Sequence, residues 1–228
     1  PSGLMMAHEL TRFGIPCVII EKEVERSPYS RAIGVQIRTL EIFQSLGLYQ
    51  NLVQKSWPVK GVEILAEGKK IIIDLPTTTS NIIQPLIIDQ PHTEMVLETA
   101  LAHLGQNIMR GVELVEFTPQ ADGVMATLQD RQGCKQTKSF SYIIGADGAH
   151  SVVRKSMSNQ FLGTTYDDAF ILADALCIHP FDHDHFRIFF HKKFFLAMIP
   201  MQGEHHYRLI SVRRGERNKE GPAPTIEE

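Results

Sequence analysis

Tyr142-Ile143-Ile144-Gly145-Ala146-Asp147-Gly148-Ala149-His150-Ser151-Val152-Val153-Arg154 is the stretch that decides the fold of this chain. Its three leading apolar residues predict a strand buried on both faces of a parallel sheet. They run straight into a Gly-Ala-Asp-Gly turn and then into a helix predicted from about Ser151 to Met157. Glycines at such a turn let backbone approach a ligand, and the Asp carboxylate is an acceptor for sugar hydroxyls. Arg154 is placed to anchor the helix or a phosphate. A single Asp-Gly turn is common, but the ten-residue string from Gly145 is far less so.

The start of the chain repeats the theme. Met6, Leu10 and Phe13 fall at helical spacing after Gly3, and Gly14 supplies a stop. Cys17 to Ile20 is a continuous apolar run that predicts a second strand buried on both faces, ending at Glu21. In a Rossmann unit the last glycine of the G-x-G-x-x-G loop allows close helix–strand packing, and the helix N-terminus faces a pyrophosphate. An acid at the end of the second strand accepts from the ribose hydroxyls. Gly3 and Glu21 have that order and about that separation. No first strand and no earlier glycines precede Pro1, so the opening reads as a loop entered part-way. With Glu227 and Glu228 at the other end, both termini read as cuts.

Between and beyond these motifs the pattern changes twice. A helix is predicted from Arg38 to Leu46, ended by Gly47, and another opens at Pro91 and runs to about Leu104, with Thr93, Glu94, Glu98 and Thr99 on its polar side. Strands are predicted at Val62 to Leu65, Ile71 to Asp74, Gly111 to Phe117 and Val124 to Leu128, with a hairpin turn at Asp130 to Gly133. After Met157 strands dominate, at Phe170 to Ile178, Arg187 to Phe190, Phe194 to Ile199 and Tyr207 to Val212. Helices alternating with strands early and strands alone late predict an α/β nucleotide-binding domain with an antiparallel second layer or domain.

Composition removes other classes. The 228 residues are 43% hydrophobic and 21% charged, which excludes a disordered or coiled-coil chain. With 23 basic and 26 acidic residues there is no long-range field to attract a phosphate backbone, so no nucleic-acid partner is expected. No apolar run approaches the roughly 20 residues that span a bilayer. Three widely spaced cysteines, Cys17, Cys134 and Cys177, form no Cys-x-x-Cys pair and suit a reducing compartment, with Cys17 in the core. His179, His183, His185 and His191 cluster, and His183-x-His185 could ligate a metal, but the simpler reading is polar residues at a strand junction; no metal is expected.

Five ordered motifs together resemble the group A flavoprotein monooxygenases, the single-component aromatic hydroxylases typified by phenol hydroxylase and p-hydroxybenzoate hydroxylase, with relatives that hydroxylate polyketides or inactivate tetracyclines. The motifs are Pro1-Ser2-Gly3-Leu4; Val18-Ile19-Ile20-Glu21-Lys22; Ser30-Arg31-Ala32-Ile33-Gly34 with Arg38-Thr39-Leu40-Glu41; Gln90 with Glu94 and Leu97; and Gly145-Ala146-Asp147-Gly148 with Ser151 and Arg154. They cover nearly the whole chain in unbroken order. The family's paired-Trp halogenase relatives are disfavoured, because Trp57 stands alone.

The resemblance implies an α/β fold, with a Rossmann-like FAD-binding domain at 1–58 and 89–160 interleaved with a partial β-rich substrate domain at 59–88 and 161–228. It implies that Ser2 and Gly3 line the FAD pyrophosphate, that Glu21 holds the adenosine ribose with Lys22 beside the adenine, and that Arg38 reaches the pyrophosphate. Arg31 would lie near the flavin, Gln90 near the ribityl chain, and the backbone around Leu114 beside the adenine. Asp147 and Gly148 would touch FAD and the incoming nicotinamide. For Arg31 and Arg38 the plainer reading is exposed salt bridging, and for Gln90 helix capping.

The activity so implied is monooxygenation in the cytoplasm. NADPH or NADH reduces the flavin, dioxygen adds to give a flavin hydroperoxide, and oxygen passes to a small aromatic or enolic substrate. The cofactor carries the hard step, so no catalytic acid or base is singled out. Substrate contacts are expected around Ile171 to Ile178 and Phe186 to Met201. The family's later Gly-Asp motif has no counterpart here, while Pro224 to Glu228 resembles a helix start. Two alternatives follow: a non-oxygenating flavoenzyme of the same fold, or an apo fragment. If these 228 residues are the whole molecule, little or no FAD affinity is expected.

Overall fold

The computed structural model describes residues 1–27, 32–75, 85–157, 160–164, 167–178, 181–191 and 194–213. The chain divides into two compact units, Pro1–Arg31 with Gln90–Leu162, and Ala32–Asp89 with Gly163–Glu228.

The first unit contains α1 (Ser2–Arg12), β1 (Ile19–Glu21), α4 (Gln90–His103), β6 (Ile108–Arg110), β7 (Val112–Gln120), β8 (Gly123–Asp130), β9 (Lys135–Phe140) and α5 (Val152–Ser156). Helix α4 buries Thr93, Val96, Leu97, Ala100 and Leu101, an i, i+3, i+4, i+7, i+8 stripe. It packs on α1, whose buried residues are Leu4, Ala7 and His8. Leu97 and Leu101 are fully buried, each worth about 2 kcal/mol of apolar transfer. The expected stripe of Met6, Leu10 and Phe13 is not the buried one: Met6 and Phe13 are exposed, because the face turned to α4 is set by Leu4 and Ala7. Gly14 ends the helix at φ +71°, where its lack of a Cβ removes the strain.

Strand β1 pairs in parallel with β6, with Glu21 opposite Arg110. The run from Cys17 was expected to be buried on both faces, but Val18 is 50% exposed and Cys17 only half-buried. Among the described residues β6 is the only strand hydrogen-bonded to β1, so the other edge of β1 carries no paired strand. Tyr142 to Ile144, expected as a strand, belongs to no strand, and Tyr142 is 87% exposed. An apolar run becomes a strand only where a partner ladder receives it. By contrast β7, β8 and β9 form the expected antiparallel meander. Val124, Ala126 and Leu128 alternate inward along β8, and the Asp130 carboxylate fixes the β8–β9 turn by accepting from the N–H groups of Gln132 and Cys134, each at 2.9 Å.

The second unit contains β2 (Gly34–Val35), α2 (Ile37–Ser45), α3 (Tyr49–Val53), β3 (Gly61–Ala66), β4 (Lys69–Asp74), β5 (Leu86–Ile87), β10 (Ala169–Leu176), β11 (His185–His191), β12 (Phe194–Pro200) and β13 (His206–Arg213). Its main sheet has the order β10-β13-β12-β11-β3-β4, antiparallel except where β11 runs parallel to β3. The four late strands fall where the sequence places them. Helix α2 carries buried Leu40 and Phe43. The segment from Pro224 to Glu228, read as a helix start, lies outside the described residues, as do Arg31 and His179.

Gly61, which opens β3, shows why that position excludes a side chain: a Cβ there would meet the Ile73 carbonyl oxygen of β4 at 2.7 Å. Next along the strand lies a buried ion pair. Glu63 is opposite Arg187 in the β3–β11 register, and Arg187 Nε donates to Glu63 Oε2 at 2.6 Å with Arg187 only 1% exposed.

Candidate cofactor site

Helix α1 starts with neither a side-chain cap nor an acid in its first turn, so no side chain of its own first turn engages the backbone N–H groups that carry the positive end of the helix dipole. Ser2 and Gly3 lie there. The Gly145–Gly148 loop comes against the same point: a Cβ on Gly3 would sit 3.3 Å from the Ala146 Cβ. Glycine at position 3 therefore lets the two segments close on each other. A Cβ on Gly145 would meet Val153 Cβ at 2.8 Å, so the loop is equally tight against α5.

Asp147 organises this loop. Its Oδ1 accepts from Ser151 Oγ at 2.6 Å, and its Oδ2 accepts from the N–H groups of Val152 at 2.6 Å and Val153 at 3.3 Å. Ser151 in turn caps α5 by accepting from Arg154 N at 3.0 Å. Burial works against the Asp147 charge, but the hydrogen bonds from Ser151, Val153 and Val152 outweigh it and hold the carboxyl below its usual range. Arg154 donates to the Ala149 carbonyl at 3.2 Å and lies over the Phe161 ring at 4.8 Å, so it anchors loop and helix.

Glu21, at the C-terminal end of β1, is exposed and accepts from the Glu23 N–H at 3.0 Å. Lys22 is exposed beside it, 4.0 Å from the Glu23 carboxylate. Leu114 lies on β7, which packs beside β1. Gln90 opens α4 and donates through Nε2 to Glu94 Oε1 at 2.8 Å, and that same oxygen is 3.5 Å from the Pro1 nitrogen at the head of α1. The first unit thus sets Gly3, in the first turn of α1, against Ala146, the neighbour of Asp147 in the chain, and links Gln90 through Glu94 to the Pro1 nitrogen, while Glu21 and Leu114 lie on β1 and β7. Arg38 belongs to the second unit, in the first turn of α2, where its side chain is 83% exposed and pairs with Glu41 at 2.8 Å.

Against protein-family models, residues 1–228 match the family described as FAD binding domain. The chain belongs to the FAD-binding domain family. A helix N-terminus without a side-chain cap for a pyrophosphate, glycines that let the loop approach it closely and an exposed acid at the end of β1 are the features this cofactor needs, so the residues present fit FAD. Among relatives of this FAD-binding chain, 6-methylpretetramide 4-monooxygenase of Streptomyces rimosus is 35% identical over 184 residues, covering 77% of this chain and 32% of the relative. The solved OxyS anhydrotetracycline hydroxylase of Streptomyces rimosus superposes with a TM-score of 0.75 at 25% identity, covering 100% of this chain and 45% of that one. The p-nitrophenol 4-monooxygenase PnpA of Pseudomonas putida DLL-E4 shares the fold, with a TM-score of 0.82 at 19% identity over 100% of this chain and 57% of its own. The chain spans about a third of the length of the curated relatives it matches, at 36%, 32% and 37%.

The histidine cluster resolves into two unlike residues. His183 Nδ1 accepts from the His205 N–H at 3.2 Å, which leaves the proton on Nε2, 3.1 Å from the Met201 carbonyl that accepts it. Its ring lies between Tyr207 and Trp57, at centroid distances of 4.5 and 4.7 Å, and burial lowers its pKa. It is a neutral packing residue of the second unit. For His185 burial opposes the charge, but Asp182 and Asp184 raise the pKa above its ordinary value. These three side chains approach one another closely enough for a metal, yet Arg187 Nη2 reaches Asp182 at 2.5 Å and Lys60 reaches Asp184 at 2.6 Å, so the carboxylates already have cations.

Sequence reasoning missed one polar cluster in the first unit. Arg26, Glu94, Glu98 and Arg110 meet against α4, with Arg26 paired to Glu98 and Arg110 Nη2 donating to Glu98 Oε2 at 3.0 Å. The polar side of α4 was legible, but its partners 72 and 12 residues away from Glu98 were not.

Proposed function

We propose that the intact protein is an FAD-dependent monooxygenase that uses NADPH or NADH and dioxygen to hydroxylate an aromatic or polyketide-like small molecule. The observation that carries this reading is the closure of the Gly145–Gly148 loop on the uncapped start of α1, in a chain whose full length matches the FAD-binding family. The names of the relatives, which act on 6-methylpretetramide, anhydrotetracycline and p-nitrophenol, support the substrate class.

Hydride acceptance and dioxygen activation are the chemistry FAD supplies when bound. The protein's part is to hold and orient it. Ser2 and Gly3 present backbone N–H groups to the pyrophosphate, Glu21 accepts from the adenosine ribose with Lys22 near the adenine, and Leu114 backbone borders the adenine. Arg38 and Arg31 supply positive charge, to the pyrophosphate and beside the flavin respectively. Gln90 meets the ribityl region, and Asp147 and Gly148 form the loop wall. On this reading 1–58 and 89–160 serve the cofactor, because Arg38 lies in the first of these segments, and 59–88 with 161–228 serve the substrate through β10 to β12. No helix among the described residues is long and apolar enough to cross a membrane. A cytoplasmic location is supported by three cysteines that are all unpaired.

The test is turnover. Intact protein supplied with FAD, NADPH or NADH and a panel of phenols and tricyclic or tetracyclic polyketides should oxidise nicotinamide with matched dioxygen uptake and give a product heavier by one oxygen atom. Nicotinamide oxidation with no oxygen incorporated into any substrate would instead mark a non-oxygenating flavoenzyme.

A further inference from the structure

We infer that β4 is an interface between two copies of this chain: its open edge pairs antiparallel with the same strand of a second copy, Ile72 opposite Ile72 and Lys70 opposite Asp74, so that two six-stranded sheets join into one. The strand lies in the second unit, and its pairing does not rest on the cofactor reading.

β4 ends its sheet, and among the described residues no strand pairs with its outer edge. Lys69 to Asp74 are all exposed, with Ile71, Ile72 and Ile73 at 58%, 50% and 53%. Consecutive β-branched apolar residues on an open edge are a template for another strand. The edge is also well defined. A two-residue turn, Glu67 and Gly68 at φ +49° and +79°, closes the β3–β4 hairpin and fixes its register. The Leu75 N–H donates at 2.7 Å to the carbonyl of Lys60, the residue before β3, and inward and outward backbone groups alternate along an antiparallel strand. Ile71 and Ile73 therefore direct their backbone groups to β3, while Lys70, Ile72 and Asp74 direct theirs outward.

Symmetry and charge choose both the occupant and the register. Two copies paired antiparallel about a two-fold axis keep the same sheet face on the same side, so even-numbered residues meet even-numbered ones. With Ile72 on the axis, Lys70 of each copy lies across from Asp74 of the other, and an opposite-charge pair flanks the Ile72 contact on each side. Asp74 is 80% exposed, with only His185 Nε2 near it, at 3.9 Å. Lys70 is 49% exposed and reaches Glu63 at 2.5 Å, and an ammonium has donors to spare for a second carboxylate. Placing Ile71 on the axis instead sets Lys70 against Ile72 and Asp74 against Gly68, with no charge pair. Lysines on an edge ordinarily keep strands apart; here the facing aspartate neutralises Lys70. At the other end of the sheet β10 lacks the pattern, because its one charge, Asp174, is held by Arg208 at 2.7 and 2.8 Å. A single strand pair is a small interface, so the dimer is weak and concentration-dependent.

Disulfide trapping in the intact protein tests the register. Cα atoms of a hydrogen-bonded antiparallel pair lie about 5.5 Å apart, within disulfide reach. Ile72→Cys oxidised with copper phenanthroline should give a covalent dimer whose digest contains the position-72 peptide linked to itself, and Ile71→Cys should give at least about tenfold less of its own link. Sedimentation velocity across a concentration series supplies the second measurement. Asp74→Lys sets like charges opposite each other on both sides of the axis and should raise the dimer dissociation constant about tenfold or more, while Asp74→Glu should stay within about threefold of wild type. Absence of the position-72 link, a position-71 link as abundant, or dimerisation unchanged by Asp74→Lys overturns the inference. So does a position-72 thiol that resists alkylation in dilute protein, since another segment of the intact chain then covers β4.

Discussion

Glu63→Ala should destabilise the second unit by about 3–5 kcal/mol, the range for removing one partner of a buried ion pair. Arg187 cannot follow its charge into water. Its Nε meets Glu63 at 2.6 Å, its Nη1 donates to the Asp182 carbonyl at 2.7 Å, and the guanidinium lies 4.9 Å from the Phe181 ring centre. Lys70 also reaches Glu63, at 2.5 Å, so Lys70 loses its carboxylate and Arg187 keeps only Asp182. The Glu63 carboxyl titrates below its ordinary value. Burial opposes its charge, and Lys70 and Arg187 outweigh burial. A fall in Tm on the order of 10 °C is expected by differential scanning calorimetry. Glu63→Leu/Arg187→Met should recover most of it, since apolar side chains of similar volume replace such pairs at little cost. An unchanged Tm for Glu63→Ala would show that Arg187 is adequately held by Asp182 alone.

Loss of flavin is the second large effect. Asp147→Ala removes the acceptor for Ser151 Oγ and for two N–H groups at the head of α5, so the loop that closes on Gly3 loses its internal brace. Losing the charged acceptor for these groups costs about 2 kcal/mol, and FAD loading of the intact protein should fall about tenfold or more. Arg38→Ala provides the complementary case. Its side chain is 83% exposed and its pair with Glu41 spans one helical turn, worth at most a few tenths of a kcal/mol. Flavin content should therefore drop while the melting curve stays in place. Absorbance at the flavin band per mole of purified protein, read beside thermal melts, separates the two. Full loading in both variants would remove Asp147 and Arg38 from the site.

Local pattern made much of the architecture legible. The period-two alternation of Val124, Ala126 and Leu128, the Gly14 and Gly47 stops and the late strands up to Tyr207 are short-range signals, and each element formed where its residues directed. What failed was what depends on neighbours. Tyr142 to Ile144 has the composition of a strand but no partner among the described residues, and Val18 is exposed for the same reason. Arg154 could be read as an anchor because its bond to the Ala149 carbonyl closes within five residues, whereas the bonds that Asp147 accepts from Ser151, Val152 and Val153 were not read from the sequence. Arg187 with Glu63 and Arg26 with Glu98 could not, because 124 and 72 residues of chain separate the partners and no periodicity carries that distance. Glu94 shows the boundary well: its place on the polar side of α4 was plain, and the hydrogen bond it accepts from Gln90 required coordinates.

Hydrogen exchange of the intact protein with and without FAD tests the central claim, that the cofactor sits where the head of α1 meets the Gly145–Gly148 loop. The account predicts slowed exchange on FAD addition at the amides of Ser2 to Leu4 and of Gly145 to Ser151, with the paired strands β11 and β12 unchanged. Stoichiometric FAD binding that leaves those two segments exchanging at the same rates would contradict it.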